Sequence, residues 1–209
     1  MNILVCVKQV PDTTEIKIDP VTNTLIRNGV PSIVNPFDGY ALEAAARIKD
    51  KHPDTRIIVL SMGPEQAKNA LKECLGIAAD KAYLISGRAF GGSDTLATSY
   101  ILSCAIKKVA ELEGGFDAIF CGKQAIDGDT AQVGPQISEH LGLPVISYAQ
   151  KIREVNEAEK YIVVERQYDD RYHVVKAQLP CLLTALAELN EPRYMTPGGI
   201  FDAYAKEIT

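Results

Sequence analysis

No run of apolar residues in this chain approaches the roughly 20 needed to span a membrane. The first apolar run ends at Lys8, so no signal peptide is read. The 5 cysteines, at 6, 74, 104, 121 and 181, show no CxxC spacing, and the 3 histidines, at 52, 140 and 173, are scattered. A metal site is therefore not expected, and the cysteines read as small apolar core residues in a reducing compartment. GxGxxG and GxxxxGK[ST] are both missing, which removes the common dinucleotide and P-loop fingerprints. GxSxG is missing too, so no serine nucleophile is supported. Excess positive charge is also lacking: the net charge is −5, which argues against nucleic acid or an anionic membrane as partner. No internal repeat or low-complexity segment is found. A soluble, cytoplasmic protein is expected.

What is present is an ordinary globular composition, 46% hydrophobic and 23% charged, with 209 residues to build one large core. Residues 3–7, 56–61 and 82–85 read as buried strands, as does the run at Phe116. Residues 16–26, centred on DPVTN, read as a hairpin excursion. Between the strands lie helical patterns: one with Leu42, Ala45 and Ile48 on a face, one opening near Pro64 with Leu71 and Leu75 buried, and one capped by Ser93 and running to about 112. This alternation up to about residue 145 predicts a doubly wound, mostly parallel α/β sheet with helices on both faces. Beyond it, residues 161–165 and 172–176 read as a C-terminal β hairpin, and 181–186 as a further short strand whose alanines also permit helix. The end, from Asn190, holds Pro192, Pro197, Gly198 and Gly199, and reads as an exposed loop and tail outside the core.

The segment 121–144, CGKQAIDGDTAQVGPQISEHLGLP, is the most informative. It reads as strand end, Gly-rich loop and helix. Gly122 and Gly128 permit close approaches and unusual backbone angles. Asp129 or Thr130 is placed to cap the helix, and Val133, Ile137 and Leu141 mark its apolar face. Pro135, which lacks an N–H, requires a helix starting near Val133 or a distorted first turn. Free amides at such a start, at the right end of a strand, suit a phosphate. Asp127 and Asp129 mean that backbone donors must hold it.

Three segments in order, ILVCVKQVPD at 3–12, NPFD at 35–38 and GKQAIDGD at 122–129, resemble the β (small) subunit of electron-transfer flavoproteins. LNEPRY at 189–194 strengthens the resemblance, which covers essentially the whole chain. It implies an adenine-nucleotide-binding α/β domain over 1–189 and a partner-recognition loop and tail over 190–209. It also implies a heterodimer with an FAD-bearing α subunit that passes electrons to or from a dehydrogenase such as an acyl-CoA dehydrogenase. Carried over by position, the nucleotide pocket comprises Cys6, Asn35, Pro36, Phe37, Asp38 and Met62. To these it adds the loop Gly122, Lys123, Gln124, Ala125, Ile126, Asp127, Gly128, Asp129, Thr130, Ala131, Gln132 and Val133. VKQVPDT and GDTAQVGPQ are similar to the electron-bifurcating branch, in which a second FAD fills this pocket and exchanges electrons with NADH. In the ordinary branch AMP fills it. Gly128, where ordinary members often carry an acidic residue, and the Thr130 hydroxyl favour FAD, with AMP the alternative. Tyr194, Met195, Thr196 and Pro197 fall where the family contacts its dehydrogenases, with Met195 the apolar anchor. The departures are Arg171 and His173 in the hairpin, and an end at Thr209 that implies a fragment or a short variant.

Plainer readings stand beside these. Asn35 can cap a turn before Pro36, and Asp38 can be a helix-start carboxylate. Cys6 and Met62 can be core, Lys123 and His140 solvated, and Arg166 a surface strand residue. As a non-catalytic electron carrier the chain has two rivals. One is an ATP-using adenylating enzyme, with Asp127 and Asp129 as metal carboxylates and Lys123 as base. The other is a regulatory adenine-nucleotide-binding module.

Overall fold

The computed structural model describes residues 1–12 and 31–209. The expected hairpin excursion at 16–26 lies outside the described residues. Strand β1 (Asn2–Cys6) opens the chain, followed by the short β2 (Gln9–Pro11) and β3 (Ser32–Val34), an antiparallel pair. Then come α1 (Pro36–Lys51), β4 (Arg56–Met62), α2 (Lys68–Ile77), β5 (Lys81–Ile85) and α3 (Thr95–Glu113). Next are β6 (Ala118–Gly122), α4 (Val133–Leu141) and β7 (Val145–Asn156). The chain finishes with β8 (Tyr161–Gln167), β9 (Tyr172–Gln178), β10 (Cys181–Ala185) and α5 (Pro197–Ala205).

Eight strands form one sheet in the order β5-β4-β1-β6-β10-β7-β8-β9. From β5 to β7 all pairings are parallel, and β7, β8 and β9 form an antiparallel ribbon. The expected fold class is the observed one. The period-2 side-chain alternation sorts the central strands into two layers. Ile3, Val5, Ile57, Val59 and Phe120 pack with α1, α2 and Ala203 of α5. Leu4, Cys6, Ile58, Leu60 and Cys121 pack with Leu102 and Ile106 of α3 and Ile137 of α4. Burial on both faces is why these strands read as continuous apolar runs rather than alternating ones.

Several local expectations need correction. The cap of α3 is Asp94, whose carboxylate accepts from the Ala97 amide at 2.8 Å, while the Ser93 hydroxyl turns back to the Phe90 carbonyl. Pro64 precedes a single 3-10 turn, and the α-helix proper begins at Lys68. Strand β7 had no signal in the sequence. Two register shifts against β8 and a left-handed Tyr148 (φ 58°) break the alternation that would have betrayed it. Residues 181–185 form a fully buried strand despite their alanines.

The tail is the largest correction. Residues 197–205 are helical, and α5 lies against α2 with Ala203 in the core. A Cβ on Gly199 would collide with the Gly76 carbonyl oxygen, so glycine permits this close helix contact. The Lys72 ammonium caps the carbonyls of Ala203, Tyr204 and Lys206. Ile208 then bridges in parallel to Ala82 on β5. Cys6, Cys74, Cys121 and Cys181 are buried as expected, but Cys104 is exposed. Among the described residues no helix is long and apolar enough to cross a membrane.

Candidate functional site

The chain runs from β1 outward through β4 to β5, then returns to place β6 on the other side of β1. Open α/β sheets form a crevice at such a reversal, beyond the carboxyl ends of the strands. Here it is a cleft of about 700 Å³, with Cys6, Leu60 and Cys121 at its base. Its walls are the segments after β4, β5 and β6.

Asp38 and Asn35 hold the two sides of the crevice together. Asp38 is buried, and its two carboxylate oxygens accept from the Lys8 amide at 2.7 Å and the Gly122 amide at 3.1 Å. Burial pushes its pKa from 3.8 up to about 7, against the pull of these amide donors and of the Lys8 charge. Gly122 is required at the contact, because a Cβ there would meet Asp38 Oδ1 and come within 2.7 Å of the Phe37 carbonyl carbon. Asn35 occupies the N-cap position of α1 but makes no side-chain cap bond. Its Nδ2 donates to the Gln124 carbonyl (2.8 Å), and its Oδ1 accepts from the Ile126 amide (3.1 Å). Asn35 thus fixes the loop after β6 rather than its own helix.

That loop is wound tightly. The Gly128 and Asp129 amides both donate to the Ala125 carbonyl. Asp129 and Ala131 are left-handed, each at φ 52°, a strained conformation for non-glycine residues that tends to mark functional sites. The expected side-chain cap is absent: α4 begins at Val133 behind Gln132, and neither Asp129 nor Thr130 caps it. The amides of Thr130, Ala131 and Gln132 have no acceptor among the described residues. The amides of Val133 and Gly134 belong to the open first turn of α4. Among the described residues, five consecutive amides at this helix start are without an acceptor.

Cys6, Asn35, Asp38 and Met62 line the cleft, as do Gly122, Lys123, Gln124, Ala125 and residues 128–133. Pro36, Phe37, Ile126 and Asp127 do not line it. Asp127 instead takes the Lys8 ammonium at 2.6 Å, and Asp129 accepts from Gln124 Nε2 at 2.6 Å. Asp127 and Asp129 thus each have a separate side-chain partner. Lys123 Nζ lies 5.8 Å from the ring centroids of both Phe37 and Tyr148. Arg166 bonds the Ser147 hydroxyl and stacks on Tyr168, and His140 meets the edge of Tyr100.

One wall went unread in the sequence: residues 86–94, between β5 and α3. Its SGRAFGGSD is a second Gly-rich strand-to-helix loop, so the signal that marked the first loop marks this one too. Tyr194, Met195, Thr196 and Pro197 lie outside the cleft. Thr196 caps α5 by accepting from the Gly199 amide at 3.0 Å, and Pro197 is the first residue of that helix. The LNEPRY segment is a clasp on α1. Arg193 donates to Glu43 (2.8 Å) and Asp50 (2.6 Å), one helical face seven residues apart, and Asn190 Nδ2 donates to the Tyr40 carbonyl.

Comparison with known proteins agrees with this architecture. The model of the electron transfer flavoprotein domain matches residues 22–209. The chain is 57% identical over 209 residues to the caffeyl-CoA reductase-Etf complex subunit CarD of Acetobacterium woodii, covering 100% of this chain and 77% of that one. It is also 57% identical over 210 residues to the electron transfer flavoprotein subunit beta of Megasphaera elsdenii, with the same coverage. Protein FixA of Azotobacter vinelandii is 48% identical over 208 residues, covering 100% of this chain and 73% of that one.

Proposed function

The chain belongs to the electron transfer flavoprotein family as a β subunit, and we propose that its cleft holds an adenine nucleotide, FAD in preference to AMP. The observation that carries this reading is the row of amides at 130–134, which opens on a cleft of about 700 Å³. Backbone donors at a helix start suit a phosphate, and a cleft of this size is within the usual range for cofactor sites. Residues 128–133 would hold the phosphates, while Cys6, Met62 and the apolar base would surround the adenosine. A bound flavin supplies the capacity to take and release electrons. The chain's part is to bind it, orient it and limit its access to water.

A complex is the natural setting, because relatives are named as subunits of Etf complexes. On this reading an α subunit bearing its own FAD is the constant partner. NADH is the electron donor and an acyl-CoA dehydrogenase or similar flavoenzyme the acceptor, in the cytoplasm and by the bifurcating route. The adenylating alternative is less favoured, because Asp127 and Asp129 are each engaged by a separate side chain and Asp127 does not line the cleft.

The test is to co-express the chain with the large subunit and count cofactors. Two flavins per heterodimer support the proposal, one flavin with one AMP supports the AMP branch, and no adenine nucleotide overturns both. Gly128→Val gives a local check. A Cβ at Gly128 meets nothing within 4 Å, so the fold tolerates it, and because Gly128 lines the cleft the added branches are expected to crowd a bound phosphate. Nucleotide retention should fall at an unchanged melting temperature. Retention equal to the parent would remove the loop from the site.

A further inference from the structure

The charges around the cleft divide unequally between its acids and its bases. Every acidic side chain on its walls is engaged. Asp38 accepts from two backbone amides, Glu65 pairs with Lys68 at 2.6 Å, Asp94 caps α3, and Asp129 accepts from Gln124. The Lys8 ammonium is neutralised by Asp127. Two cations on the walls have no carboxylate partner among the described residues: Lys123, in the loop after β6, and Arg88, in the loop after β5. For arginine this is unusual in this chain. Arg47, Arg56, Arg153, Arg166, Arg171 and Arg193 each make a side-chain hydrogen bond, and Arg88 alone among the described arginines makes none to a described residue.

The position of Arg88 is nevertheless defined. Its turn is closed by the Phe90 amide on the Gly87 carbonyl (3.0 Å) and the Gly91 amide on the Arg88 carbonyl (3.3 Å). The Phe90 ring packs so closely on Gly87 that a Cβ there would lie 3.0 Å from it. Thr95 Oγ1 and Gln132 Oε1 meet at 3.0 Å, so the starts of α3 and α4 converge on the same mouth. The carboxyl ends of β5 and β6 are three strand spacings apart, roughly 14 Å. Arg88 and the amides at 130–134 therefore line the cleft on walls that follow different strands, while Lys123 Nζ lies near the Phe37 and Tyr148 rings.

A single phosphate at 130–134 is served by the amides. The guanidinium on the far wall is a second, independent anion ligand, always charged and shaped for two parallel bonds to phosphate oxygens. We propose that Arg88 is the residue by which this cleft selects a nucleotide with two linked phosphates over a mononucleotide. The inference rests on the adenine-nucleotide reading above and names its specificity determinant.

The test measures binding of AMP, ADP and FAD to the nucleotide-stripped full chain by calorimetry, for wild type, Arg88→Ala and Arg88→Lys. ADP and FAD should bind wild type more tightly than AMP. Arg88→Ala should weaken ADP and FAD by roughly 10- to 100-fold, the equivalent of one charge-assisted contact, and AMP by less than about twofold. Arg88→Lys keeps the charge without the fork and should recover part of the loss. Because no described side chain bonds the guanidinium, the melting temperature should not change. If Arg88→Ala weakens all three ligands alike, or none, the inference falls while the nucleotide reading stands. If wild type takes none of the three, the nucleotide reading itself falls and carries the inference with it.

Discussion

Asp38 shows how much one side chain can do at the switch between β1 and β6. In the sequence it was legible as a helix-start carboxylate or a pocket residue. Its role as a bridge between two backbone amides was not, because that depends on a strand pairing 84 residues away in the chain. Its pH signature follows from burial. The folded pKa, about 7, lies above the ordinary 3.8, so the native state holds a proton that the unfolded chain releases. The resulting stabilisation is fully present below about pH 3.8 and is lost as pH rises through 7. Asp38→Asn supplies one acceptor where two amides need one each, and should cost about 1–3 kcal/mol in denaturant unfolding. It should also flatten the stability profile between about pH 4 and 7, and an unchanged profile would clear Asp38 of that titration. Glu113 has the opposite sign. It accepts from Arg56 (2.7 Å), Lys81 (2.6 Å) and the Tyr83 hydroxyl, and these partners hold its pKa down to about 2, against an ordinary 4.5. Its stabilisation is present above about pH 4.5 and is lost as pH falls towards 2. Glu113→Gln should therefore remove part of the acid-induced loss of stability, measured by unfolding between pH 2 and 6.

At the scale of elements, the parallel strands were legible because their burial on both faces leaves uninterrupted apolar runs. Strand β7 was hidden by its irregular register, and α5 by its Pro-Gly-Gly start. Pro197, Gly198 and Gly199 look like a loop in isolation, yet proline suits the first turn and Gly199 suits a near-contact with Gly76. The loop after β6 was read correctly as strand, glycines and helix. Its strain was misplaced, falling on Asp129 and Ala131 rather than on a glycine. The docking of α5 also changes which side chains face outward. Met195 is only 40% exposed and lies against Gly76, whereas Tyr194 is 95% exposed and Phe201 76%. If this surface serves a dehydrogenase, Tyr194→Ala or Phe201→Ala should slow electron delivery several-fold at constant melting temperature. Met195→Ala should instead cost roughly 1 kcal/mol of stability through lost packing. Met195→Ala slowing transfer more than either aromatic change, with stability intact, would return the anchor to Met195. Arg193→Ala cuts the clasp to Glu43 and Asp50. It should speed limited proteolysis within 190–209 without releasing nucleotide, since none of its contacts reaches the cleft.

For the whole molecule, no group of three or more potential metal ligands is found among the described residues, and on the proposed reading electron traffic belongs to a complex. The chain alone, supplied with FAD and NADH, should show no steady NADH oxidation in a spectrophotometric assay, and turnover should appear on adding the large subunit. Steady turnover without that subunit would contradict the carrier assignment. The sheet itself has two unlike margins. On one, the Thr209 amide and carbonyl bond to Ala82 and Leu84, so the last residues of the chain occupy the flank of β5. On the other, β9 ends the strand order, with Tyr172 and Val174 exposed. Unpaired strand margins are templates for uncontrolled polymerisation. Of the described margins, the one at β9 is the more open, and two such molecules can meet there β9 to β9. Among the described residues, pairing of one sheet with another through β9 would be a two-fold contact, which closes at a pair.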